Sequence, residues 1–132
     1  MPEMNSTNLQ AGVCFKETLA GEQNRNEIFL QNAKAIVLKN IHVPDFTIED
    51  LACNLGISRS QLFRKLKSAV DQTPLVFIHS LRMDMAAELF VAGEKNISEV
   101  AYCLGFSDVN YFRKVFHKYF GISPSKYIER TK

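Results

Sequence analysis

The feature that most constrains this chain is that it repeats itself. Shifting the 132-residue sequence by 49 positions lays Ile48, Ala52, Leu55, Gly56, Ser58, Phe63, Arg64 and Lys65 on Ile97, Ala101, Leu104, Gly105, Ser107, Phe112, Arg113 and Lys114. Eight identities within 18 positions are far beyond chance, and Leu51 and Leu62 face Val100 and Tyr111 besides. After one residue of slippage, Pro74, Phe77 and Ile78 meet Pro124, Tyr127 and Ile128. A solenoid needs more copies than two, because each repeat buries its apolar face on its neighbours. The chain therefore reads as one duplicated unit, with Arg64 and Arg113 at equivalent places in the two copies.

Each copy reads as helix, short turn, helix. Thr47 with Asp50 three residues on opens the first helix in capping-box fashion, and Ile48, Leu51, Ala52 and Leu55 give it an apolar stripe. Gly56 ends it, where a left-handed residue is needed, and Ser58 with Gln61 starts the next. In the second copy Asn96 and Glu99 open the first helix, Gly105 closes it and Ser107 caps the second. A further helix is expected over 26–40, from Ile28, Phe29, Ala33, Ile36 and Val37. Thr73-Pro74 and Ser123-Pro124 are N-caps followed by proline at the first helical position. No strand-like alternation stands out. The expectation is an all-α fold of about seven helices: two helix-turn-helix units, at about 47–70 and 96–120, joined by a long linker helix at about 74–90. A C-terminal helix would cover 124–131. Gly21 and the polar run after it make residues 1–25 an N-terminal tail or linker, with the domain proper at 26–132.

Composition narrows the function. The chain is 46% hydrophobic and 23% charged, too apolar for overall disorder, and it has no run long enough to span a membrane. Three widely spaced cysteines (Cys14, Cys53, Cys103) and no secretory signal point to a reducing, cytoplasmic setting. Cys53 and Cys103 lie beside apolar positions and are expected as buried thiols, and Phe63 and Phe112 as core. No metal-ligand spacing, phosphate-cradling glycine loop or nucleophile motif is present, and His42, His79 and His117 are far apart, so neither an enzyme nor a cofactor is expected. The net charge of +2 is unevenly spread: −3 over residues 1–50, +1 over 51–104 and +4 over 105–132. Arg59, Arg64, Lys65 and Lys67 cluster without an acid between them, which suits a polyanion.

A helix has the right diameter for the DNA major groove, and the second helix of each unit has an outward side suited to it. Ser60, Gln61 and Arg64 lie on that side in the first copy, and Val109, Asn110 and Arg113 in the second. These are the candidate base readers, since Arg, Gln and Asn can pair with base edges at two points and Val can meet a thymine methyl. Ser58, Arg59, Lys65, Lys67, Asn96, Ser107, Lys114 and Lys118 flank them as candidate phosphate contacts. A linker helix of about 17 residues spans roughly 26 Å, which would set the two reading helices near one DNA turn, roughly 34 Å, apart. The competing reading is a helical protein-interaction module that binds no DNA. The cations on both second helices weigh against it.

The chain from about Asn26 to Lys132 resembles the DNA-binding domain of AraC/XylS-type transcription regulators. The resemblance rests on Ile97-Ser98-Glu99-Val100-Ala101, Gly105-Phe106-Ser107-Asp108, Tyr111-Phe112, Phe116-His117-Lys118 and Gly121-Ile122-Ser123-Pro124 with Tyr127. Leu51-Ala52, the run Leu55 to Leu62, and Arg82 with Ala86-Ala87 add to it. It implies a sequence-specific binder of double-stranded DNA that regulates transcription, with Lys114 a further base-reading candidate. RNA polymerase is a compatible second partner. The first copy is similar to output domains of hybrid two-component regulators, which implies a receiver or sensor domain elsewhere in the full protein. Asp71 stands where the family often has glycine, so a different turn is expected there.

Overall fold

The structure, a computed structural model, describes residues 13–131, with side chains described from Asn24 onward. Seven helices follow one another: α1 (Val13–Lys39), α2 (Ile48–Leu55), α3 (Arg59–Val70), α4 (Pro74–Val91), α5 (Ile97–Cys103), α6 (Val109–Phe120) and α7 (Pro124–Arg130). The described residues contain no strand, and none of their helices is long and apolar enough to cross a membrane. The first helix begins at Val13 rather than at Asn26. Gly21 therefore lies inside a helix, where glycine costs only about 1 kcal/mol against alanine and need not break it. Residues 1–12 of the expected tail lie outside the described residues.

The capping residues do what their chemistry predicts. Thr47 Oγ1 accepts the Asp50 N–H at 3.0 Å while Asp50 Oδ2 accepts the Thr47 N–H at 3.0 Å. Ser58 and Gln61 repeat the exchange at the start of α3. Thr73 and Ser123 cap α4 and α7, each followed by proline, whose missing N–H is not needed at that position. At α6, however, the cap is Asp108 and not Ser107: Asp108 Oδ1 accepts the Asn110 N–H at 2.9 Å.

That one-residue difference revises the repeat. Thr47 and Asn96, the caps of α2 and α5, keep the 49-residue offset, as do Gly56 and Gly105. From the next caps onward the offset is 50: Ser58 with Asp108, Asp71 with Gly121, Thr73 with Ser123. The slippage sits inside the turn, Gly56-Ile57-Ser58 in the first unit and Gly105-Phe106-Ser107-Asp108 in the second. Leu62 and Leu66 thus correspond to Phe112 and Phe116, and all four are fully buried. Phe63 corresponds to Arg113, and Arg64 to Lys114, so Arg64 and Arg113 are not equivalents. Phe63 is half-buried and lies outside the core, because it sits about 100° around α3 from Leu62. Asp71 takes the left-handed conformation (φ 56°) that Gly121 takes in the second unit, so the expected difference of turn is absent.

The linker helix α4 organises the interior. It touches α1, α3, α5, α6 and α7 and buries Phe77, Ile78, Leu81, Met83, Ala86 and Phe90. Leu51, Ala52, Leu62 and Leu66 pack with Ala33, Val37 and Ile41 of α1 and the residues just after it in one core with the second unit. The second unit is aromatic: Phe116 lies 5.7 Å from Phe90, 5.9 Å from Phe112 and 5.4 Å from Tyr127, centroid to centroid. Arg82 is the one buried charged side chain among the described residues. Its Nη2 donates to the Val43 carbonyl at 3.1 Å and its guanidinium lies 5.7 Å from the Phe106 ring centroid, while Nε has no partner. Burial pulls its pKa down. Gly105 makes room for it: at φ +86° a Cβ would stand 3.0 Å from both Arg82 Nη2 and the Ile41 carbonyl oxygen.

The expected burial of two thiols does not hold. Cys53 and Cys103 are exposed, each lying past the buried pairs Leu51-Ala52 and Val100-Ala101, on the next part of the helical wheel. His42 Nδ1 donates to the Cys103 carbonyl at 2.7 Å, tying the loop after α1 to the end of α5.

Candidate nucleic-acid interface

The second helix of each unit buries one stripe and exposes the rest. On α3 that leaves Arg59, Ser60, Gln61, Arg64, Lys65 and Lys67 exposed; on α6, Asn110, Arg113, Lys114 and Lys118. Val109 is half-buried against the core, so only part of it faces outward. Ser58, Asn96 and Ser107 are exposed as well.

Their hydrogen bonds and ion pairs sort these candidates. Gln61 Oε1 accepts the Ser58 N–H at 3.0 Å, so the carboxamide has its amide N–H free but its oxygen engaged. Two-point pairing with adenine requires both, and would break the capping box. Asn96 Oδ1 is likewise engaged, by the Glu99 N–H at 3.1 Å. Lys67 Nζ lies 3.0 Å from Asp71 Oδ1, and Arg59 Nε lies 3.5 Å from Glu49 Oε2. The Lys65 ammonium stands 5.6 Å from the Phe29 ring centroid, against α1. Among the described residues no carboxylate pairs with Arg64, Arg113, Lys114 or Lys118. These four are exposed and available to an outside partner. The Asp108 carboxylate sits at the N-terminus of α6 and occupies an N–H there. A phosphate beside Ser107 would meet that negative charge, whereas the α3 terminus carries only neutral caps.

A groove runs between α4 and α6, lined by His79, Tyr111, Lys114, Lys118 and Tyr119 among others. The Tyr119 hydroxyl donates to the Val76 carbonyl at 2.9 Å. Burial raises its pKa, helped by Asp84 and Tyr111. The His79 ring packs 5.9 Å from Phe106 and 5.8 Å from Tyr111. Burial lowers its pKa, and the charges of Arg82 and Lys118 lower it further. A neutral ring is therefore held beneath the cationic side of α6. No group of three His, Cys, Asp or Glu side chains among the described residues could hold a metal ion.

Arg64, Arg113, Lys114 and Lys118 lie exposed on the second helix of each unit, where the apolar stripe of the sequence put them. Sequence reasoning missed Phe63 as an outward-facing residue, because the 49-residue offset aligned it with buried Phe112. The signal that finds it is the N-cap: counting from Ser58 and Asp108 puts Phe63 and Arg113 in step.

Two helix-turn-helix units, each turning a cationic second helix outward and both built on one linker helix, define a bipartite helix-turn-helix domain. A helix-turn-helix domain family model matches residues 51–130, more than half of the chain. A transcriptional regulator of the AraC DNA-binding type from Chromobacterium violaceum superposes with TM-score 0.72 at 27% identity, over 85% of this chain and 96% of that one. The DNA-binding domain of AdpA, solved with a target DNA, gives TM-score 0.69 at 28% identity over 76% and 90%. A histidine kinase from Formosa agariphila is 37% identical over 105 residues, covering 80% of this chain and 8% of the kinase. This chain belongs to the AraC-type helix-turn-helix family. It spans less than two-thirds of the length of the curated relatives first matched: 8%, 66% and 36% of them.

Proposed function

We propose that this chain binds double-stranded DNA sequence-specifically and regulates transcription, laying α3 and α6 in successive major grooves. The observation that carries this is the set of four exposed cations with no carboxylate partner among the described residues, Arg64 on α3 and Arg113, Lys114 and Lys118 on α6, displayed by two helices built on one shared core. The likeness to a domain solved with its target DNA supports the same reading. α4 has 18 residues, a length of roughly 27 Å, which suits a separation near one DNA turn. Ser60, Arg64, Asn110 and Arg113 read base edges, with Gln61 contributing its N–H and Val109 its exposed methyls. Lys114 and Lys118 meet phosphates, and the α3 N-terminus at Ser58 offers its amides to another.

We further read the chain as the output module of a larger cytoplasmic regulator with a sensor or receiver domain elsewhere, acting with RNA polymerase. The 37% identity to a segment of a histidine kinase supports this. The test of DNA binding is selection of duplexes from a random pool, then titration of the winner by fluorescence polarisation at about 50 and 200 mM salt. Contacts to several phosphates predict a loss of affinity between the two of well over ten-fold. Absence of salt-sensitive binding to any duplex would favour a protein-docking role instead.

A further inference from the structure

The half-buried Phe63 has no part in the core, and its place in the second unit is taken by Arg113. Resting on the DNA-binding reading above, we infer that Phe63 is a base-reading residue that recognises the 5-methyl group of a thymine in the groove entered by α3.

Three observations carry it. First, the caps set α3 and α6 in register, so Phe63 stands five residues from Ser58 as Arg113 stands five from Asp108. The residue expected to read bases in one unit is matched by an aromatic ring in the other. Second, the ring lines an open surface groove together with Arg59 and Ser60, both exposed, so it borders the outward side of α3. Third, the ring is held. The Arg59 guanidinium lies 5.2 Å from its centroid, one helical turn away, and Arg59 is itself held by Glu49 at 3.5 Å. A ring fixed by stacking loses less freedom when a base edge arrives.

The chemistry then selects the ligand group. A phenyl ring has no hydrogen-bond donor or acceptor for a base edge, so it gains only by covering apolar surface. The apolar group exposed in the major groove is the thymine methyl. Ser60, on the same side, is left to bond a neighbouring edge. The first unit thus reads its half-site with one cation, Arg64, and one apolar ring, where the second has Arg113 in the place of the ring.

The test replaces each thymine of the selected duplex, one at a time, by deoxyuridine, which lacks only the methyl. For the native chain one such replacement in the half bound by α3 should weaken binding about four-fold, the worth of one buried methyl-sized group. Phe63→Ala should be indifferent to that replacement, and Phe63→Leu should keep part of the discrimination. Circular dichroism checks that Phe63→Ala is folded; if it is not, Phe63→Leu and the native chain decide the matter. A native chain that selects no thymine in that half, or ignores every methyl there, overturns the inference, as does a Phe63→Ala protein with the native thymine-to-uracil ratio. Failure to select any duplex would instead overturn the DNA-binding reading beneath it.

Discussion

Arg113 and His79 show how differently two polar residues of the second unit depend on their surroundings. Arg113 is exposed and has no carboxylate partner among the described residues, so folding does not depend on its charge, and on the proposed reading it serves recognition. Arg113→Ala should weaken binding to the selected duplex by about 1–3 kcal/mol and relax the preference at one base pair, with thermal stability nearly unchanged. Competition titrations with single-base variants measure both effects. His79 is half-buried, and burial, then Arg82 and Lys118, press its pKa below 6.5. The unfolded chain therefore takes up the proton first as pH falls. His79 leaves stability intact above about pH 6.5 and erodes it as pH drops toward the folded value. Urea midpoints between about pH 7.5 and 5 should fall less steeply for His79→Phe, which keeps the ring packing and removes the titration. Equal slopes for the two proteins would reject this.

The two turns look alike in sequence and differ in what surrounds them. Gly56 has open space where a Cβ would go, so Gly56→Ala meets only left-handed strain, about 1–2 kcal/mol. Gly105 faces Arg82 Nη2 and the Ile41 carbonyl oxygen at 3.0 Å. Gly105→Ala must also displace a buried guanidinium from its carbonyl partner, for a further loss of about 1–3 kcal/mol. Denaturant unfolding of the two variants should rank them in that order, and equal losses would show that Arg82 moves freely. Phe106 follows Gly105 as Ile57 follows Gly56, each N–H bonded back to the alanine of the preceding helix. The difference lies in Arg82, which packs against Gly105 and over Phe106, itself 5.3 Å from Phe112.

With α4 in contact with helices of both units, α3 and α6 cannot move independently without opening the core. On the proposed two-groove reading, the spacing between half-sites is then a geometric requirement. Inserting about 5 base pairs, half a DNA turn, between the two halves of the selected duplex should reduce affinity to that of a single half-site. Gel-shift titration of duplexes with successive insertions measures this. Tolerance of the half-turn insertion would mean that the units rotate about α4. A single-site curve for the full duplex would mean that only one unit reads DNA.

Helix type, every cap but that of α6, and the existence of two units were legible in the order of residues because they depend on neighbours three or four positions apart. The unpaired cations were legible for the same reason: their places follow from the apolar stripe beside them. The register between the units was not, since Phe63-Arg64-Lys65 and Phe112-Arg113-Lys114 match letter for letter while the N-caps stand one residue out of step. Packing settled it, because Leu62 and Leu66 on one side, and Phe112 and Phe116 on the other, each fill the interior completely and leave no room for a rotated helix. Long-range contacts likewise fixed what no local pattern contains: Arg82 beneath Gly105, and the His42 ring bonded to the Cys103 carbonyl.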